Sequence, residues 1–398
     1  MTSRRWNPIT VIAVIWGALV IGIAAYTYAY PRMHSVYPTY AAAATRWWTG
    51  QNLYDDPGYR YSPLFAIAMT PFAALPERWG GALWKTANSL AYAAGLWAWA
   101  RGVLPVRLSG AQTAALFLLA LPTSLMSMHN GQANLVMVGT MLLGLSGAVV
   151  GHWNRAAGWL AFATVIKGYP LALPLLLVPL YPRQFGLRFA GGLGLCLLLP
   201  FAAQRPSMVA AQSSTWVTVL RDTVDIRPAK YRSVDQLWRI YNHPLSPKAY
   251  AALGLFAGAA ILALCLLHAR RTADRRDLLT RVFMLFAAWV VLCGPATEEA
   301  TYAVVAPAIA WALVDAFRRP AGRGTRFLLI ASLFLMGPLA TDVFGSAVRI
   351  FAMEHGSLPI GALLFFAYLL AQTGRTHGEQ GIRLGASPSP STHPTTTR

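Results

Sequence analysis

The sequence predicts an all-α polytopic membrane protein, a bundle of about 10–12 transmembrane helices with a non-cytoplasmic first loop. Three observations predict it. Of 398 residues, 56% are hydrophobic and only 12% charged, against roughly 25% charged in a soluble globular domain. Apolar runs long enough to cross a bilayer recur along the chain. The basic residues behind the net charge of +19 fall in short turns between those runs, notably Arg270, Arg271, Arg275, Arg276 and Arg281, then Arg318, Arg319, Arg323 and Arg326. An excess of Lys and Arg in short loops marks the cytoplasmic side, so the charge reads as topology and not as a nucleic-acid footprint. Cys196, Cys265 and Cys293 all lie in apolar runs, with neither disulfide nor metal spacing.

The first run, Ile9 to Tyr30, follows Arg4 and Arg5, has no small-residue cleavage site and reads as a signal anchor with a cytoplasmic N-terminus. The first outer loop, 31–61, is too rich in Tyr, Trp, Pro and Gly to cross a bilayer. Within it, Thr39 to Trp48 predicts a short helix ended by Gly50, and Asp55 and Asp56 sit in a turn with Pro57 and Gly58. Apolar runs then follow over about Ser62–Pro76, Ala82–Ala100 and Ala111–Met128, the last stopping at His129, Asn130, Gly131 and Gln132, with Asn134 just inside the next.

The run Ala156–Tyr181 is too long for one span and is broken at Lys167, Gly168, Tyr169 and Pro170. A lysine inside such a segment is costly unless paired or solvated, so Lys167 reads as a cation aimed at a polar cavity, or as a snorkelling residue near a helix end. If the break makes two half-length helices, the His129 cluster faces outside with Lys167. A long outer loop, 204–248, carries Lys230 and Arg232. Five further runs follow, and parity puts Pro295–Thr301 (PATEEAT) on the outer face. The integral domain is therefore 1–373, and 374–398, rich in Ser, Thr, Pro and Gly, reads as a disordered cytoplasmic tail.

Four polar groups thus converge outside: Asp55 with Asp56; His129, Asn130 and Gln132; Lys167; and Glu298 with Glu299. Glu298 and the Asp pair each have a plainer reading, as a helix cap and as turn formers. Sugar transfer from a lipid phosphate needs a carboxylate general base and cationic groups to stabilise the departing phosphate. Glu298, Asp56 and Asp55 are the candidate bases, and Arg60, Lys167, Lys230 and Arg232 the candidate phosphate partners. No phosphate-cradling Gly loop, serine-hydrolase elbow or paired-His zinc spacing is present. The sequence demands no cofactor and leaves a divalent cation open. A transporter or flippase is the alternative, since broken helices and intramembrane charges also mark transport sites, but internal repeats are lacking.

The run YAAAATRWWTGQNLY followed by YRYSPLFAIAMTPFAALP resembles glycosyltransferase family 87, the polyprenol-phosphate-mannose-dependent mannosyltransferases of the GT-C class. His129, Asn130, Gly131, Gln132 and Asn134 are similar to its HNGQ-x-N cluster, Lys167 with Pro170 to its Lys-x-x-Pro element, and Ser233–Arg239 (SVDQLWR) to a motif on its long outer loop. The resemblance spans about Tyr37 to Pro307. It implies a GT-C-like bundle in the plasma membrane, with a polyprenyl-phosphate sugar donor, a glycan or glycolipid acceptor on the outer face and inversion at the anomeric carbon. It adds Tyr61, His129, Asn130, Gln132 and Asn134 to the substrate-binding candidates. Two departures stand out. Where the family has an Asp opening the first loop, this chain reads His34, Ser35, Val36, Tyr37, and PATEEATY replaces a Trp- and His-bearing motif.

Overall fold

The computed structural model describes residues 7–225, 230–241 and 243–385. Arg4, Arg5 and the tail beyond Gly385 lie outside them. The described regular structure is helical: α1 (Pro8–Ala29), α2 (Tyr37–Thr49), α3 (Pro63–Ala73), α4 (Glu77–Gly102), α5 (Gly110–Asn130), α6 (Asn134–Val149), α7 (Trp153–Ile166), α8 (Ala172–Leu180), α9 (Leu187–Leu198), α10 (Pro206–Asp225), α11 (Val234–Ile240), α12 (Pro247–Ala269), α13 (Arg275–Cys293), α14 (Ala306–Arg318), α15 (Arg323–Met336), α16 (Ser346–Glu354) and α17 (Ser357–Gly385). Helix α17 thus continues through the start of the expected tail.

The bundle has two distinct ends. At one, Arg275 donates to the Val149 carbonyl, Arg188 to Asn154, Thr280 to the Val103 carbonyl, and His268 meets Asp277. This basic end gathers the arginine-rich turns. At the other, Lys85 reaches the His129 carbonyl, Tyr250 the Gly294 carbonyl, Gln204 the Trp47 carbonyl and Arg349 Glu299. Among the described residues, twelve helices run between the ends: α1, α4, α5, α6, α7, α8, α9, α12, α13, α14, α15 and α17. Among the described residues, five helices are long and apolar enough to cross a membrane by themselves, six if the bent pair α16–α17 is one span. The others are shorter or carry buried polar residues such as Lys85 and Asn88, which interior helices tolerate when every group is bonded.

One expected span does not cross. Helix α3 has 11 residues, about 16 Å against a hydrocarbon core of about 30 Å. Tyr61 before it meets Tyr40, Phe72 near its end accepts from the Tyr37 hydroxyl, and α4 begins beside it with the Arg32–Glu77 pair. Both ends of α3 therefore lie at the same end of the bundle. Helices α2, α3, α10, α11 and α16 form a layer there. Its own apolar core includes Tyr40, Trp47, Leu53, Tyr59, Phe65 and Trp84. On α2, Tyr40, Ala43 and Trp47 are buried in it while Trp48 is exposed, and Gly50 ends the helix at φ 73° as expected.

The break at Lys167 is the tip of a helical hairpin. Lys167 leaves α7 in extended conformation, a single 3-10 turn Tyr169–Leu171 follows, and α8 returns until Tyr181 packs on Trp153 at 4.9 Å between ring centroids. The two helices are half-length, as the parity argument required, so Lys167 and the His129 turn share one end.

Candidate active site

Glu298 occupies the centre of this end. It precedes the 3-10 turn Glu299–Val304, where the Thr301 hydroxyl accepts its backbone N–H at 3.2 Å. Glu298 and Thr301 thus form a capping box, as the helix-cap reading expects, and the carboxylate also accepts from side chains. Gln132 Nε2 donates to Oε2 at 2.9 Å and Lys230 Nζ lies 2.6 Å from Oε1. Burial would by itself raise this carboxyl. The charge of Lys167, the hydrogen bond and charge of Lys230 and the Gln132 N–H together hold it below the usual glutamate value.

Gln132 is itself held. Its Oε1 accepts from Asn134 Nδ2 at 2.7 Å and its carbonyl from Asn88 Nδ2 at 2.7 Å. Asn134, fully buried at the start of α6, also donates to the Ala300 carbonyl at 3.0 Å and accepts from the Tyr169 hydroxyl at 3.0 Å. One amide thereby ties α6, the Glu298 turn and the hairpin tip together. Such a network fixes rotamers because every polar group in it is satisfied.

Lys167 stands between the Tyr61 and Tyr169 rings, 5.8 and 5.7 Å from their centroids, a cation over two aromatic faces. Arg60 donates to the Tyr231 hydroxyl at 2.7 Å. Both cations line a cavity of about 340 Å³, with Thr297 and Thr301 from the Glu298 turn, and Leu171, Ala172, Leu175, Leu220, Trp289 and Val290 as its apolar wall. Arg232 braces the same turn through its backbone: its N–H donates to the Thr297 carbonyl at 2.6 Å, and its carbonyl accepts from the Tyr302 hydroxyl at 2.8 Å.

The remaining expected residues stand apart from this cluster. Asp55 is exposed and accepts from Asn52 at 2.8 Å, while Asp56 accepts the Gly58 N–H at 2.8 Å. Both carboxylates thus serve their own turn and neither lines the cavity. The His129 ring packs on Tyr26 and His34, at 5.4 and 5.7 Å. Asn130 Oδ1 accepts the Gln132 N–H at 2.9 Å, shaping the turn around Gly131 at φ 74°. Among the described residues, no group of three or more His, Cys, Asp or Glu side chains comes together as a metal site.

The model of glycosyltransferase family 87 matches residues 59–295, more than half of the chain. The chain belongs to glycosyltransferase family 87. The matched span includes Arg60, the Gln132–Asn134 turn, Lys167 and Lys230, and it ends just before Glu298. No curated protein sequence matches the chain. Among solved structures, ArnT from Cupriavidus metallidurans bound to undecaprenyl phosphate is 14% identical, covering 91% of this chain and 78% of that one at a TM-score of 0.39. That likeness is too distant to carry an argument about the site.

Four residues of this family 87 site are not among the site candidates read from the sequence. Lys85 and Asn88 sit on one face of α4 and hold the carbonyls of His129 and Gln132, at 2.5 and 2.7 Å. A lysine inside an apolar run was the available signal, the same one that exposed Lys167. Tyr169 and Tyr231, which contact Asn134 and Arg60, carried none, because a tyrosine in a membrane protein is ordinarily an interfacial or core residue.

Proposed function

We propose that this family 87 enzyme transfers a hexosyl group, mannosyl by its family resemblance, from a polyprenyl-phosphate sugar to a glycan or glycolipid acceptor, with Glu298 as general base. The observation that carries the reading is a cationic mouth joined to an apolar track. Arg60 and Lys167 stand in the cavity whose wall includes Ala172, Leu175 and Trp289. The same three residues line a second, apolar groove of about 240 Å³ that continues past Gly254, Gly258 and Phe286, between α8, α12 and α13. A phosphate suits the cations and an isoprenoid tail suits the groove.

Glu298, held below its ordinary pKa by Lys167 and Lys230 against the effect of burial, is ionised at neutral pH. It is then able to take the proton of an acceptor hydroxyl. Lys167 and Arg60 would stabilise the departing phosphate. Thr297 and Thr301 put hydroxyls on the wall between the two functions.

The two ends support an assignment of sides. The arginine-rich turns occupy the end opposite Glu298, which favours a non-cytoplasmic site, with both termini cytoplasmic, in the plasma membrane. A transport reading would put the polar groups near the middle of the bundle, whereas these gather at one end.

The test is transfer of radiolabelled sugar from a series of polyprenyl-phosphate sugars by purified protein in lipid vesicles, with Glu298→Gln and Asp56→Asn beside the wild type. Loss in Glu298→Gln alone is the expected result. Loss in Asp56→Asn alone would move the base to the first loop. A wild type inactive with every donor while the fold is intact would sink the donor assignment.

A further inference from the structure

At the basic end, the turn between α6 and α7 opens into a polar cavity of about 330 Å³ lined by Gly151, His152, Trp153, Asn154, Arg155 and Arg188. Arg188 is held in place. Its Nε donates to Asn154 Oδ1 at 2.9 Å and its Nη1 to the Gln184 carbonyl at 2.6 Å, so one edge of the guanidinium remains unspent. Arg155 is exposed and has no hydrogen-bond or ion-pair partner among the described residues. Arg275 adds a third charge: it lies over the Trp153 and Tyr181 rings, donates to the Val149 carbonyl at 3.1 Å, and comes within 3.9 Å of where a Cβ on Gly151 would stand.

No carboxylate lines the cavity. The acids of the adjacent turn are already engaged, Asp274 with the Arg276 N–H at 2.9 Å and Asp277 with His268 at 2.8 Å. Two guanidinium groups therefore line the cavity and a third stands beside its Gly151 edge, with no carboxylate in the lining, an arrangement that like-charge repulsion opposes and an anion relieves. Guanidinium forks match phosphate oxygens in particular. The paired Trp153 and Tyr181 rings, tilted by 45° at 4.9 Å, mark this level of the bundle as a membrane–water interface, where phosphates of lipid headgroups lie.

We infer that this cavity is a second phosphate-binding site, at the opposite end of the bundle from Glu298, taking the phosphate of an anionic phospholipid headgroup or a soluble phosphate. It is independent of the donor assigned to the active site.

The test uses the purified full-length chain in nanodiscs of phosphatidylcholine with phosphatidylglycerol, analysed by native mass spectrometry, and titration calorimetry with inorganic phosphate. Arg155→Gln is the primary variant, because Arg155 is exposed and has no hydrogen-bond or ion-pair partner among the described residues; Arg155→Gln/Arg188→Gln is the stronger one. Arg323→Gln, at the same end but in another turn, is the control. The wild type and the control are expected to retain one phosphatidylglycerol more than the double variant. Arg155→Gln alone should weaken retention by about tenfold. If that lipid is retained in excess inorganic phosphate, the source is the headgroup. If calorimetry instead detects inorganic phosphate binding that Arg155→Gln removes, and no lipid difference, the source is soluble. Equal binding of both probes by wild type and variants, or binding of neither, overturns the inference.

Discussion

Gln132 donates from Nε2 to Oε2 of Glu298 at 2.9 Å, across 166 residues of chain. The bond joins the family-matched turn to a glutamate that lies just outside the matched span. It gives the carboxylate an orientation as well as a charge environment. Replacing Gln132 with Leu should free Glu298 to rotate and leave one oxygen of a partly buried carboxylate unmet. Transfer should fall by about tenfold or more through kcat, with a stability loss of about 1–3 kcal/mol. Steady-state kinetics beside a thermal melt separates the two. An unchanged kcat would mean that the pair is only structural.

Glu298→Gln keeps the Gln132 contact and removes the base. Loss of a general base costs about 10²–10⁴-fold in rate, and the substitution should act on kcat far more than on donor binding. Because Lys167 and Lys230 outweigh burial and hold the carboxyl below 4.5, the acid limb of the wild-type pH–rate profile should lie below that pH. A limb near neutrality would point to another base.

The neighbouring Glu299 behaves oppositely. Burial pushes its carboxyl up to about 7 from an ordinary 4.5, against the pull of Arg349 and Arg232. A folded-state pKa above the unfolded one means that the stabilising contribution is complete below pH 4.5 and is lost as pH rises through about 7. The melting temperature of the wild type should therefore decline across that window. Glu299→Gln should flatten the decline and be the more stable protein above pH 7. Melts at several pH values, read relative to the wild type, decide it.

Lys85→Met tests the support under the His129 turn. Nζ donates to the His129 carbonyl at 2.5 Å from a side chain that is almost wholly buried. Removal should cost about 1.5–3 kcal/mol, the range for a hydrogen bond from a charged donor. Activity should fall too, since the same turn carries Gln132. Full activity with an unchanged melt would show that the turn holds without it.

Gly95 and Gly139 let α4 and α6 touch backbone to backbone. A Cβ on Gly95 would stand 2.3 Å from the Gly139 carbonyl oxygen, and one on Gly139 would stand 2.3 Å from that of Ala91. Small residues permit this approach in membrane bundles. Gly139→Ala should force the helices apart and lower the melting temperature by several degrees, more than Gly158→Ala, where nothing lies within 4 Å.

The sequence made the bundle legible because its two strongest signals, apolar periodicity and the placement of arginine, act locally and do not depend on partners. The broken hairpin at Lys167 was legible for the same reason: a lysine, a glycine and a proline together cannot continue a helix in lipid. The failure of α3 to cross was not, since an apolar run gives its composition but not its direction. Glu298 was legible as an acid between two apolar runs, although its part in a capping box gave it a plainer reading as well. The roles of Asp55 and Asp56 were not, because a carboxylate in a turn looks the same from sequence whether it serves the turn or a substrate; here each accepts from its own loop. Lys85 escaped because its run was otherwise ordinary, and its partner, a carbonyl 44 residues away, has no sequence signature.

The groove that passes Trp289 between α8 and α12 opens at the outside of the bundle beside the exposed Leu255. For a donor that enters along it, molarity is the wrong measure of supply. The molecule arrives by two-dimensional diffusion within a leaflet, so the rate should scale with its mole fraction among the surrounding lipids. Adding inert lipid at constant donor should slow the enzyme as effectively as removing donor.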